Sequence, residues 1–502
     1  MKNERKILNI LAEIYFFIVI IIYPLIVDST GFFHILECKW YSYLVITVTY
    51  IILNVLVIVY FKFFKGINIF SEIKLKKVHY FALIFLLINV ISTFFSPFFY
   101  DYDLFIGVGR GEGLLMTSLY ILSFLLVSLF LSFKKRHIIY FTVSLLLLNT
   151  VGILQYIGFN PFNMYQNGIG THNVSFFITI GNVDFVSAVY CLLLTISIYS
   201  FIFLKEKKYE KILHLVAVLT GFFIIGIIDV QSGKLAIILT FLITFPFIVS
   251  SNKRLSRFAI VVAMILLSYA INIIINPEYH YNINKLGLYF QFNLKVVFYL
   301  IVVFVLLILS YFLGRNFYDF SKNKKIIKNM YISMIIISLL GISIVYFYKF
   351  KTGFLYEIHE IMHGNFNDNF GTYRVFLWKR SLKIFFEYPF FGTGADTFAI
   401  RFMERFSSDI ASIGPLTLND TAANIYLTIL VNTGLLGFLS YLSFLYFFFK
   451  ECKRNIYCKV LLVSVVCYLI QAFFNLSVVI VTPLFYMLIS LCLTIEKDNL
   501  LC

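Results

Sequence analysis

Apolar runs about as long as a helix needs to cross a hydrocarbon core of roughly 30 Å recur along nearly the whole chain. Fourteen can be read, near 7–27, 41–61, 78–96, 114–133, 138–156, 183–204, 212–228, 235–250, 258–275, 293–313, 329–348, 423–449, 460–474 and 483–495. A soluble globular domain is excluded, because 61% of the 502 residues are hydrophobic and only 13% are charged. The expected fold is an all-α membrane protein, a polytopic helical bundle of about 12–14 transmembrane helices with one large extracytoplasmic loop.

The connectors set the orientation. Basic ones such as KFFKGINIFSEIKLKK, KKRH, KEKKYEK and NKRLSR alternate with connectors poor in Lys and Arg. With the N-terminal MKNERK inside, the inner connectors hold 28 of the 41 Lys and Arg, as the positive-inside rule requires. A multi-pass protein of the cell membrane with both termini cytoplasmic is therefore expected. The net charge of +16 reads as retention of these loops rather than nucleic-acid binding, since no basic stripe with interleaved aromatics occurs. The first apolar run has a basic start but no small-x-small cleavage site, and it reads as a retained span. The seven cysteines are scattered, with no Cys-x-x-Cys pair and no disulfide framework.

One segment breaks the membrane pattern. It divides the chain into spans over 1–348, an outer loop over 349–422 and further spans over 423–502. A loop that long is usually functional or disordered. Here YRVFLWKRSLKIFFEYP has apolar residues at helical spacing, so short amphipathic helices near the outer surface are expected, with a docked structural cap as the plainer alternative. A second outer loop, 157–182, is rich in Asn and Gly. The long loop also contains HEIMH at 359–363, the spacing that puts two imidazoles on one helical face for zinc. A zinc site needs a third ligand, no histidine follows His363, and Glu387 is the nearest acidic candidate. A membrane zinc metalloprotease is thus a remote alternative.

Ionisable groups near outer span ends are costly and tend to sit in functional cavities. Arg110 in GVGRGEGLL, Asp184 in TIGNVDFVSA, and Asp229 and Lys234 in DVQSGKLAIIL fit this description, each also readable as an interfacial anchor. With Arg374, Arg380, Arg401 and Arg405 they supply cations for a phosphate-bearing ligand at the outer leaflet.

Taken in order, these stretches resemble the O-antigen ligase and O-antigen polymerase family. HGNFNDNFGTYRVFLWKRSLKIFFEYPFFGTGADTF (363–398) is similar to its loop, DTAANIYLTILVNTGLLGFLSYL (420–442) to its following span, and GVGRGEGLL, TIGNVDFVSA and VQSGKLAIIL to upstream motifs. The resemblance implies a metal-independent, cofactor-free membrane-embedded glycosyltransferase. Such an enzyme moves a glycan from an undecaprenyl-diphosphate carrier to a hydroxyl of an acceptor glycan or lipid, outside the cytoplasmic membrane.

It further implies Arg374 and Arg110 as diphosphate ligands, with Lys234 and Arg401 as further cations. Glu112, Asn182, Asp184, Asn424 and Tyr426 are candidate cavity-lining residues, and Asn424 and Tyr426 can equally cap and pack a helix. Trp378, Pro389, Gly392 and Gly394 match positions that read as architectural. Three residues depart from the pattern. The family's histidine base falls at Ala423, its second asparagine at Asp184, and its arginine after the serine is replaced by Gly233 followed by Lys234. Asp420 or His363 are candidate substitute bases, although Asp420 reads more readily as a helix N-cap beside Thr421. A catalytically degenerate relative that binds the carrier lipid or a partner is the alternative.

Overall fold

The structure is a computed structural model, and it describes residues 2–69, 73–165, 176–275, 293–315, 318–320, 323–413, 420–452 and 455–498. Seventeen α-helices are found among these residues, with one short hairpin pairing Phe176–Phe177 and Gly181–Asn182. The first six helices are α1 (Lys2–Phe17), α2 (Ile35–Phe64), α3 (Lys77–Phe94), α4 (Leu114–Phe130), α5 (Arg136–Tyr156) and α6 (Val183–Phe203). Next come α7 (Lys208–Ile228), α8 (Gln231–Val249), α9 (Asn252–Ile274), α10 (Leu294–Arg315) and α11 (Lys324–Phe347). The long loop holds α12 (Phe354–Met362), α13 (Arg374–Glu387) and α14 (Phe398–Ile413). Helices α15 (Ile425–Glu451), α16 (Ile456–Gln471) and α17 (Thr482–Asp498) follow. Of the Asn/Gly-rich loop 157–182, residues 166–175 lie outside the described residues.

Each of the fourteen apolar runs falls on a helix. Twelve are long and apolar enough to cross a membrane, and α4 and the apolar part of α17 are shorter. The chain is an all-α polytopic membrane protein. Helix α6 is its axis, buried on every side within its apolar window, with α5, α7, α8 and α16 packed around it. A helix apolar all round is stable only in such a position. Thr195 Oγ1 is satisfied within the helix, donating to the Leu192 carbonyl at 3.2 Å. At the other extreme α11 has no buried residue and touches only α8 and α12 appreciably.

Two backbone breaks shape the end of the bundle that carries the site. The first span continues past α1 into a tight turn at Tyr23–Leu25 containing Pro24. The freed carbonyls of Tyr23 and Pro24 accept from the buried Lys39 Nζ at 2.9 and 2.8 Å, and Thr179 Oγ1 donates to Pro24 at 2.7 Å. Unpaired backbone groups cannot be left in an apolar interior, so these side chains complete the break.

The second break is in α15, read from its apolar run as one continuous span. At Gly434 the backbone takes φ 65° and ψ −170°, a region essentially reserved for glycine. Residues 389–394 lie alongside and satisfy the opened helix. Thr393 and Gly394 N–H donate to the Val431 and Asn432 carbonyls at 3.0 and 2.9 Å, while Leu435 and Leu436 N–H donate to those of Pro389 and Phe390 at 2.8 and 3.3 Å. The approach is so close that a Cβ on Gly434 would stand 2.3 Å from the Phe390 carbonyl. Pro389, Gly392 and Gly394 are thus placed by a helix break some forty residues further on.

Candidate functional site

The interlocked segment delivers Asp396 to the loop that carries Arg110. Asp396 Oδ2 accepts from the backbone N–H groups of Gly109 and Arg110, both at 3.0 Å, and of Glu112 at 3.2 Å. Consecutive N–H groups curled around one oxygen form an anion nest. The nest needs glycine beside it, since a Cβ on Gly107 would meet Asp396 Oδ2 at 2.5 Å. Burial pushes the Asp396 carboxyl up to about 6 against the pull of those three donors. The loop's far side is fixed by Trp40 Nε1, which donates to the Gly111 carbonyl at 2.8 Å.

Held this way, Arg110 and Glu112 face a cavity of about 110 Å³ reaching between α3, α4, α15 and α17. Asn89, Asn432, Thr433 and Ser477 supply further polar walls, and Tyr120, Tyr441, Tyr468 and Tyr486 with Phe85 and Phe485 line the apolar part. Asp396 also lines it. Polar side chains set among aromatic rings give such a cavity both directional groups and apolar surface for a ligand.

Arg110 Nε donates to Asp420 Oδ2 at 2.6 Å, and its guanidinium lies 5.4 Å from the Phe185 ring centre. This ion pair, rather than a helix cap, is the role of Asp420. The N-cap of α15 is Asn424, whose side-chain oxygen accepts from Tyr426 and Leu427 N–H at 3.0 and 3.1 Å. The alternative that Asp420 caps the helix is thereby corrected, because Thr421–Ala423 intervene in non-helical geometry with Ala423 at φ 47°.

Arg374 opens α13. Its Nη1 donates to the Gly371 carbonyl at 3.0 Å and its Nη2 to that of Phe474 at 3.2 Å. Its Nε has no hydrogen-bond partner, nor has Trp378 Nε1, one helical turn further along. The charges of Arg374 and Arg110 both act on Asp184 in the first turn of α6. Arg110, Arg374, Asp184, Asp420 and Glu112 are therefore brought together from distant parts of the chain.

The other candidates lie elsewhere. Asn182 caps α6, accepting from Asp184 N–H at 2.8 Å. Tyr426 OH donates to the Leu469 carbonyl at 2.7 Å and packs on Phe473. Lys234 is paired with Asp229. Arg401 is paired with Glu387 at 2.6 Å and Glu404 at 2.7 Å. In HEIMH, the His359 and His363 rings lie 4.3 Å apart, and His363 stacks on Tyr346 at 4.4 Å. The Nδ1 atoms of both histidines engage backbone carbonyls, of Val345 and His359. Glu387, the third ligand a zinc reading would need, is held by Arg401 and Arg405. No group of three His, Cys, Asp or Glu side chains suited to a metal occurs among the described residues.

Most of the cavity wall was not singled out in the sequence, and neither were the polar residues Asp396 and Ser477. Asp396 carried a signal, an acid directly after the Gly-rich turn of FFGTGAD; Ser477 in NLSVV carried none.

These features define a class, a multi-pass helical membrane protein with an arginine at the mouth of a partly aromatic cavity and a second arginine sharing the nearby Asp184 carboxylate. Residues 239–442 match the family model described as O-antigen ligase. The matched stretch contains Arg374, Asp396, Asp420 and Ala423, while Arg110, Glu112 and Asp184 lie outside it. No curated protein matches the chain.

Proposed function

We propose that the protein transfers or polymerises a glycan from an undecaprenyl-diphosphate-linked donor to an acceptor hydroxyl at the outer face of the cytoplasmic membrane. In this reading both termini are cytoplasmic, and α12–α14 lie outside. The observation that carries it is the pair of unspent donors on α13, Arg374 Nε and Trp378 Nε1, beside a second arginine that shares the Asp184 carboxylate. A buried donor left unmade costs about 1–3 kcal/mol, and more when charged. A diphosphate oxygen would relieve that cost and place the leaving group's developing charge against two guanidinium ions.

The test is transfer from lipid-linked glycan extracted from cells lacking this chain, with Arg374→Ala and Arg110→Ala examined singly. Each is expected to lower transfer by about 100-fold or more. Unchanged transfer in both would remove the proposed site.

Ala423 favours a second reading, a relative that binds the carrier without transferring sugar. In that case the wild type binds lipid-linked glycan but turns none over, and Ala423→His restores nothing.

A further inference from the structure

Transfer to a hydroxyl needs a group that takes its proton, and Ala423 offers none. Two carboxylates line the cavity, Asp396 and Glu112, and Asp396 Oδ2 is occupied by three N–H groups; outside that lining, Asp420 is committed to the Arg110 ion pair and Asp184 faces Arg374 and Arg110. His363 is stacked on Tyr346 in another part of the fold. Glu112 remains. It stands two residues after Arg110 and directly before Gly113, the N-cap of α4, and so occupies the rim where the arginine mouth meets the cavity. Its Oε1 accepts from Tyr120 OH at 2.8 Å and its Oε2 from Ser477 OH at 3.2 Å. Ser477 is in turn bonded to Thr482 at 3.0 Å. Each carboxylate oxygen therefore has a single hydrogen bond that fixes its direction, and retains a lone pair for an incoming hydroxyl.

We propose that Glu112 is the general base of this protein, taking the place of the absent histidine. The inference rests on the transferase reading above. In the step, the acceptor oxygen attacks the anomeric carbon of the donor sugar and its proton passes to Glu112. The bond from that carbon to the diphosphate oxygen breaks, and its electron pair leaves with the diphosphate, beside Arg374 and Arg110. Glu112 then returns the proton to water. The environment suits the role, because burial pushes the Glu112 carboxyl up to about 8. The Tyr120 hydrogen bond opposes this, Asp396 adds to it, and Ser477 and Arg110 oppose it. The titratable and charged groups facing it are Tyr23 at the end of the first span, Tyr120 on α4, Tyr468 on α16, Tyr486 on α17, and Asp396 and Arg110 from the loops. A base near the working pH combines adequate ionisation with a strong driving force for proton transfer.

The experiment measures transfer and carrier binding by purified wild type, Glu112→Gln and Tyr120→Phe, using the lipid-linked glycan extracted from cells lacking the chain. The wild-type rate is expected to rise with pH about a midpoint near 8. Glu112→Gln is expected to slow transfer about 100- to 10,000-fold while half-saturating donor stays within about threefold. Tyr120→Phe removes a donor that favours the ionised carboxyl, so it moves the midpoint to higher pH. A Glu112→Gln protein that transfers at the wild-type rate with the same pH midpoint overturns the base role. So does a Tyr120→Phe protein with an unmoved midpoint, which keeps the test decisive should the glutamine variant not fold. Absence of transfer by the wild type at every pH, with the carrier still bound, instead overturns the underlying transferase reading.

Discussion

Replacing Gly434 by alanine strikes the contact that builds the site. At φ 65° and ψ −170° a residue with a Cβ carries about 1–3 kcal/mol of backbone strain. The new Cβ would also stand 2.3 Å from the carbonyl carbon and oxygen of Phe390, a separation no real pair of atoms adopts. The 389–394 segment must withdraw, and its four hydrogen bonds to the opened helix stretch together. If two are lost at about 0.5–1.5 kcal/mol each, the total is about 2–6 kcal/mol. Against a typical stability of about 5–15 kcal/mol, that is a large fraction. In a thermal unfolding assay of detergent-purified protein, Gly434→Ala is expected to melt about 2–6 °C below wild type. It should also lose transfer, because Asp396 no longer reaches its nest. Gly341→Ala is the control, since nothing lies within 4 Å of its Cβ position in α11; its melting temperature should match or exceed wild type. A Gly434→Ala protein melting within about 1 °C of wild type would refute the interlock.

Two further outcomes are expected. Asp396 has its folded-state pKa raised above the ordinary 3.8 to about 6, so the stability it contributes is complete at low pH and is lost as pH rises from near 4 to near 6. Asp396→Asn should flatten that decline relative to wild type, measured as melting temperature against pH; parallel curves would contradict it. Arg374→Lys keeps the charge but lacks the unspent Nε donor, and should weaken binding of the lipid-linked glycan about 10- to 100-fold in a direct binding assay. Equal affinity would show that Nε meets no ligand.

The spans were legible in the sequence because run length and polarity are local properties, and α13 was legible because RVFLWKRSLKIF keeps a helical period. The break in α15 was not. NTGLLG sits inside an apolar run, and what opens the helix there is backbone brought in from Pro389–Gly394. The ion pair of Arg110 and Asp420 joins residues 310 apart, so each was visible as a lone charge but not as a partner. Asp420 read as a cap because it sits just before a span, whereas Asn424 at the true boundary does that work. Glu112 was legible as a cavity-lining residue but not as a base. Its hydroxyl partners come from α4 and the connector before α17, and only the fold brings them to it.

The most direct measurement is turnover by purified wild-type protein in liposomes supplied with the extracted lipid-linked glycan and membranes of the same cells as acceptor. Release of undecaprenyl diphosphate in step with the loss of lipid-linked glycan and its appearance on acceptor is expected, and both should fall together in Arg374→Ala. Carrier that stays bound with its glycan intact, under conditions where the protein is folded, would contradict a transferase and leave a lipid-binding relative in its place.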